Sequence, residues 1–302
     1  ERVRYDAERF SHFYSEPVAV VAAALHESLI QSTDGVIRVF PTAGDGIFRL
    51  HAEGDVMVSD VFKFKTEAES AAASQELSGQ ARLMKEEAEK YGSVRVILNF
   101  PQNPSGYSPT KDEVQQITKI VKDIAESGKQ VLVLSDDAYF GLNYEDDIEP
   151  QSLFAYMADL HENVLAIKAD GPTKEDFAWG FRVGFVTFAS KGLSDEQYTA
   201  LTTKFMSAIR SSVSCSSTPA QTLVMKALND EAHNAQKLEL RKMLKRRYDV
   251  VKAFVKNNKS SVLEPLPFNS GYFMSFNVKS GNAEDIRKKL LKEKGIGIIR
   301  TK

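Results

Sequence analysis

Residues 93–136 read SVRVILNFPQNPSGYSPTKDEVQQITKIVKDIAESGKQVLVLSD. Two short runs in this stretch, residues 94–98 and 131–134, are apolar and rich in β-branched side chains. Each is bounded by turn-forming residues, so each reads as a buried strand. Between them, Thr110 and Glu113 have the spacing of a capping box, in which each side chain satisfies the other residue's backbone N–H. Val114, Ile117, Ile120, Val121 and Ile124 then recur on one helical face before Gly128. The stretch predicts a β–α–β unit.

The pattern continues on both sides. Residues 164–167 and 183–188 read as a third and a fourth strand, with helical material at 151–160 between the second and the third. Upstream, residues 54–60 look like another strand, and the Ala/Glu/Ser-rich residues 66–91 look like helix or helix plus loop. Such alternation predicts an α/β fold, a mostly parallel sheet covered by helices. Farther on, Thr218 and Pro219 read as an N-cap and a first-turn proline opening a helix to about Leu228, and residues 235–256 form a longer helical pattern. Pro265 and Pro267 interrupt it; a strand at 271–278, a helix at 283–294 and a last strand at 295–300 complete a smaller α+β region. The expected organisation is an N-terminal segment (1–50), a large domain (51–234), and a connecting helix with a small C-terminal domain (235–302).

Composition narrows the function classes. The 302 residues carry 39 basic and 41 acidic side chains, 42% are hydrophobic and 26% are charged, which is ordinary globular usage rather than that of a disordered or fibrous chain. A formal net charge of −2 supplies no general attraction to nucleic acid, and the basic residues at 241–247 read as the solvated face of a helix. The longest apolar run, residues 18–25, is far below the roughly 20 residues that cross a bilayer. Cys215 is the only cysteine, which leaves no intramolecular disulfide and fits a reducing compartment. His12, His26, His51, His161 and His233 lack ligand spacing, so no metal site is expected. The expectation is a cytoplasmic protein that binds neither nucleic acid nor membrane.

Ligands of open α/β sheets collect beyond the carboxyl ends of the strands. After the first strand lie Asn99, Pro101, Gln102, Asn103, Pro104, Ser105 and Gly106; after the second, Ser135, Asp136, Asp137, Ala138 and Tyr139. After the third lie Asp170, Gly171, Pro172, Thr173 and Lys174, followed by Gly180, Arg182 and Gly184 at the entry to the fourth. Taken singly, each has a plain reading. Asn-Pro-Ser-Gly is a turn signal, Asp136 a loop cap or a metal ligand, Tyr139 a core-edge aromatic, Lys174 a solvated lysine, and Arg182 half of an ion pair.

Taken together, the three segments resemble, in order and spacing, the motifs of the class I/II aminotransferases, fold-type I enzymes that use pyridoxal 5′-phosphate. The resemblance implies that Asn103, in the family's Asn-Pro-x-Gly, reaches the phenolic oxygen of the cofactor. In the Asp-x-Ala-Tyr motif, Asp136 would face the pyridine nitrogen and Tyr139 the phenolic oxygen. Lys174 precedes Arg182 by eight residues, as the family's Schiff-base lysine precedes its phosphate-binding arginine in Gly-x-Arg-x-Gly. Thr173 would donate a hydroxyl to the phosphate. The implied activity is transfer of an amino group between an amino acid and a 2-oxo acid, in a homodimer. A C–S lyase or decarboxylase on the same fold, or a regulatory module that binds the cofactor without turnover, would share these residues.

Three departures accompany the resemblance. Family members often have serine where this chain has Gly171, which shifts phosphate binding onto Arg182, Thr173 and backbone amides. Only residues 41–46 resemble the family's glycine-rich phosphate turn, and the aromatic residue that stacks on the cofactor is unassigned, with Phe62 a candidate and Trp179 read as packing locally. The small domain ends just after residues 295–300, before the arginine by which relatives bind the substrate carboxylate. The chain is therefore expected to be shorter than the whole protein.

Overall fold

The computed structural model describes residues 70–300 and four short strands at 31–33, 36–38, 49–50 and 55–57. The turn expected at 41–46, Phe62, and His12, His26 and His51 lie outside the described residues. Strands β1 (Gln31–Thr33), β2 (Val36–Arg38) and β3 (Arg49–Leu50) form a small antiparallel sheet. The main sheet has five strands in sequential order: β4 (Asp55–Met57), β5 (Ser93–Asn99), β6 (Gln130–Asp136), β7 (Val164–Asp170) and β8 (Phe185–Ala189).

Strands β4 to β7 are parallel, as the alternation of strand and helix predicts. Strand β8 runs antiparallel to β7, with Asp170 opposite Phe185. A parallel crossover commonly spans a dozen or more residues with a helix, and the described connection from β7 to β8 holds only the four-residue helix at Pro172–Glu175.

Alternation along the strands sorts their side chains into two cores. Val94, Val96 and Leu98 of β5, Val131 and Val133 of β6, and Val164 and Ala166 of β7 face one side. There they meet α1 (Ser70–Tyr91) through Met84 and Ala88, and α2 (Lys111–Glu126) through Val114, Ile117, Val121 and Ile124. The same core takes in Leu153 and Met157 of α3 (Leu153–Met157). The intervening residues Leu132, Leu134, Leu165 and Ile167 face the other side, against Leu201, Phe205 and Ala208 of α5 (Asp195–Ser212); the short helix at Pro172–Glu175 is α4. Burial on both faces explains why these strands are apolar throughout. Burying each large aliphatic side chain of α2 contributes about 1.5–3 kcal/mol, so its apolar face outweighs its intrinsic helix propensity. The capping box expected at Thr110 and Glu113 is formed, with the Glu113 carboxylate accepting from the Thr110 N–H at 2.7 Å.

Helix α6 (Thr218–Leu228) begins one residue earlier than the cap reading implies. Ser217 is the N-cap, its hydroxyl accepting from Ala220 N–H, and Thr218 already lies in the first turn with Pro219. The long helix α7 (His233–Asn257), the antiparallel pair β9 (Leu263–Pro265) and β10 (Phe276–Val278), and α8 (Ala283–Lys294) follow. Two expectations need correction here. Of residues 271–278 only the last three are strand, because the preceding residues spend backbone groups on loops of the main sheet: Gly271 N–H donates to the Leu142 carbonyl at 2.7 Å. Residues 295–300 are not a strand. Gly295 closes α8 in a left-handed conformation, and Ile299 is 91% exposed; among the described residues no strand pairs with this run, and without a ladder an apolar run does not become a strand.

Candidate active site

The register of the main sheet sets the site. Asn99 pairs with Asp136 across β5 and β6, and Asp136 pairs with Ala169 across β6 and β7. Three loops therefore leave one carboxyl edge at one level. Because β8 is antiparallel, its first residue lies on that same edge, and Arg182, three residues before it, does too. In a parallel β8 the segment carrying Arg182 would lie at the opposite edge.

The loop after β5 is organised by its own amides. The Asn103 N–H donates to Asn99 Oδ1 at 3.0 Å, and Gln102 Oε1 accepts from both the backbone N–H and the hydroxyl of Ser105. Gly106 ends the turn at φ 77°. A Cβ there would lie 2.4 Å from the Phe273 carbonyl oxygen, so the glycine of Asn-Pro-Ser-Gly is required both by conformation and by close approach.

After β6, Asp136 is half-buried and accepts from the Ala138 N–H at 3.1 Å through Oδ1. Tyr139 is 3% exposed and meets Tyr272 and Phe273 edge-on, with ring centroids 5.4 and 5.2 Å away. Its hydroxyl lies 3.5 Å from Asn103 Nδ2, and the Lys174 ammonium sits 4.7 Å from its ring centroid. The structure thus brings Asn103, Tyr139 and Lys174 together from three loops.

Lys174 and its neighbour Thr173 are each 5% exposed on α4. The Thr173 hydroxyl is buried and makes no hydrogen bond, an arrangement that costs about 1–3 kcal/mol unless a ligand supplies the partner. Gly171 explains the missing serine. A Cβ at that position would lie 2.8 Å from the Val183 carbonyl oxygen and 3.2 Å from Gly184 Cα. The close approach packs the segment carrying Arg182 against the residue three before Lys174. Arg182 itself has φ 52° and a half-buried side chain. Gly180, by contrast, has open space around its Cα, so the first glycine of Gly-x-Arg-x-Gly is not needed for close approach here. Trp179 is exposed and packs edge-on against Phe177, the local role expected for it.

Sequence reasoning missed the surroundings. Asp137 is buried, and burial pushes its carboxyl up to about 7 against the pull of a Ser152 hydrogen bond and the Lys168 ammonium. Burial works against the charge on Lys168, but the hydrogen bond its ammonium donates to Asp170 at 2.5 Å and the carboxylates around it hold its pKa above the usual lysine value. Behind Lys174, the start of α7 grips α4: Lys237 Nζ lies 2.7 Å from Glu175 Oε1 and 3.0 Å from Asp176 Oδ1, and His233 Nε2 lies 3.0 Å from the same Asp176 oxygen. Asp170, Gly171, Phe185 and these residues line a cavity of about 220 Å³. No local motif marks His233 or Lys237, because their partners lie about sixty residues away.

Among known proteins, residues 66–302 match the family described as aminotransferase class I and II. A probable N-acetyl-LL-diaminopimelate aminotransferase of Bacillus subtilis is 28% identical over 207 residues, 68% of this chain and 46% of that protein. The kynurenine–oxoglutarate transaminase of Dictyostelium discoideum is 27% identical over 50% of this chain and 35% of its own length. The crystal structure of an aminotransferase from Anaerococcus prevotii superposes with a TM-score of 0.63 at 26% identity, over 72% of this chain and 52% of that one. The aromatic aminotransferase of Pyrococcus horikoshii, at 23% identity and a TM-score of 0.56, shares the fold. The chain spans about half the length, or less, of the curated relatives it matches. Among the described residues no helix is long and apolar enough to cross a membrane.

Proposed function

The chain belongs to the class I and II aminotransferases and has the fold-type I architecture, and from that premise we propose that it transfers an amino group between an amino acid and a 2-oxo acid with pyridoxal 5′-phosphate. One observation carries the reading: a buried lysine amine lies 4.7 Å from the centre of a tyrosine ring whose hydroxyl faces an asparagine amide. The residues fit the cofactor. The buried Thr173 hydroxyl that makes no hydrogen bond, one residue before Lys174, is the donor a phosphate oxygen would satisfy.

Pyridoxal phosphate, when bound, supplies an electron sink for bond breaking at the substrate Cα. Lys174 would hold it covalently and, once displaced by the substrate amine, move the proton from the substrate Cα with Nζ as base and then acid. Asp136, at the end of β6, would keep the ring nitrogen protonated, since a carboxylate within hydrogen-bonding distance favours the cation. Asn103 and Tyr139 would hold the phenolic oxygen. Arg182 would clamp the phosphate with two parallel bonds, which a lysine cannot make, and Thr173 would add a third donor. A homodimer in the cytoplasm, acting on small amino and oxo acids, is part of the same proposal. It rests on the family resemblance and is checked by light scattering and cell fractionation.

The experiment is borohydride reduction of the yellow purified protein followed by peptide mapping, with a panel of amino acids tested against 2-oxoglutarate. Cofactor fixed on Lys174 and glutamate formed in the panel support the proposal. Fixation on another lysine overturns the site. Fixation on Lys174 with elimination or carbon dioxide release marks a lyase or decarboxylase, and fixation without any turnover marks a regulatory module.

A further inference from the structure

The segment between β9 and β10 reaches into the loops of the main sheet. Asn269 is 7% exposed, and its side-chain amide spans the backbone of Ser108, accepting from the Ser108 N–H at 2.8 Å and donating to the Ser108 carbonyl at 2.8 Å. Its oxygen and nitrogen ends are thereby told apart and the amide held in one orientation. The backbone N–H groups of Asn269 and Ser270 both donate to the Gly106 carbonyl, at 2.9 and 2.8 Å, and the Ser275 hydroxyl donates to the Pro104 carbonyl at 2.9 Å. The same segment also ties down the loop that follows Tyr139. Tyr144 N–H donates to the Asn269 carbonyl at 3.3 Å, and Gly271 N–H donates to Leu142 at 2.7 Å. The two loops that present Asn103 and Tyr139 are thus fastened to one strip of backbone, in which Asn269 is a buried polar side chain bonded to both the donor and the acceptor of one loop residue.

We propose that Asn269 is a positioning residue for the Asn103–Tyr139 pair, setting through the loop at residues 99–108 the height at which the Asn103 amide meets the phenolic oxygen of the cofactor. The inference rests on the cofactor roles given to Asn103 and Tyr139 above. The Asn103–Tyr139 separation of 3.5 Å lies at the long edge of hydrogen bonding, where a shift of a few tenths of an ångström makes or breaks the bond. The chemistry also requires an amide. Aspartate would turn a carboxylate oxygen toward the Ser108 carbonyl and lose the donor, leaving a buried acceptor unpaired.

The test compares wild type with Asn269→Asp, Asn269→Ala and Asn103→Ala, each alone and each Asn269 variant combined with Asn103→Ala, reading the pH midpoint of the visible band of the lysine-bound cofactor alongside thermal stability. Asn269→Asp is expected to move the midpoint in the direction Asn103→Ala moves it, by about half as much or more, and to move it no further once Asn103 is alanine, as coupled sites do. In the cofactor-free protein it should speed hydrogen exchange at the Asn103 and Ser105 amides. A lower melting temperature with an unchanged midpoint, or a shift that persists undiminished in the Asn103→Ala background, overturns the proposal. Should Asn269→Asp not fold, Asn269→Ala decides by the same criterion, since it releases Ser108 without adding a charge. If the wild-type cofactor is not fixed on Lys174, the reading of the site fails first; fixation on Lys174 with no effect of either variant defeats the Asn269 inference alone.

Discussion

Gly171 and Val183 touch backbone to backbone, so that a Cβ on the glycine would come within 2.8 Å of the valine carbonyl oxygen. The contact joins the end of β7 to the entry of β8 and fixes how the Lys174 turn and the Arg182 segment face each other.

Replacing Gly171 with serine, the residue that the family resemblance leads one to expect there, is therefore expected to weaken the site instead of adding a phosphate ligand. The new Cβ forces backbone apart, which costs about 1–3 kcal/mol. Thermal denaturation should show the loss, and equilibrium dialysis should show looser cofactor retention in Gly171→Ser and Gly171→Ala alike. Tighter retention in the serine variant would contradict this account.

Lys174→Ala and Arg182→Ala should separate chemistry from retention. The first removes the group proposed to move the Cα proton, and turnover should fall by at least about a hundredfold to ten-thousandfold with the fold intact by circular dichroism. The second removes the two charge-assisted hydrogen bonds proposed to the phosphate, worth about 1.5–3 kcal/mol each, so the cofactor dissociation constant should rise at least about a hundredfold. A steady-state transamination assay reads the first, and dialysis against cofactor-free buffer followed by absorbance reads the second.

Lys237→Met is expected to destabilise the protein by about 1–3 kcal/mol, because Glu175 and Asp176 lose a half-buried cation at 2.7 and 3.0 Å. Combining it with Glu175→Gln should recover part of that loss, since the removed charge no longer needs a partner. Urea unfolding of the two single variants and the double variant measures the coupling.

Stability should respond to pH through Asp137. Its carboxyl titrates near the ordinary 3.8 in the unfolded chain but is raised by burial to about 7 in the folded one. Between these values the folded state holds a proton that the unfolded state has lost. The contribution of Asp137 to stability is thus greatest below about pH 4, declines as pH rises to about 7, and is level above, a change of roughly 4 kcal/mol at about 1.4 kcal/mol per unit. Asn at this position cannot titrate, so the stability of Asp137→Asn relative to wild type should rise across that interval. Parallel urea curves from pH 4 to 8 give the difference, and a flat difference would sink the assignment.

The β5–α2–β6 unit was legible because its signals are local. Side chains on one face of α2 recur every three or four residues, the capping pair Thr110 and Glu113 is three residues apart, and the flanking strands are apolar throughout because both of their faces are covered. The motif residues Asn103, Asp136, Tyr139, Thr173, Lys174 and Arg182 were legible as types at strand ends. The strand expected at 295–300 failed for the complementary reason: its residues have the composition of a strand, but a strand exists only where another offers a ladder. Ser217 took the cap expected of Thr218 because serine and threonine are both good caps, and composition does not choose between neighbours.

By itself, then, the sequence determined the α/β class, the strand–helix alternation and which polar side chains stand at the carboxyl ends of the strands, all properties set by short spacings along the chain. Tertiary structure decided the direction of β8, which carries the Arg182 segment to the edge that holds Asp136 and Lys174. It also decided the contacts that brace the site, Asn269 on Ser108 across 161 residues and Lys237 on Glu175 across 62. Such contacts join residues with no shared periodicity, and they exist only where the sheet holds its loops at one edge. Closing such long loops costs entropy that no local signal records.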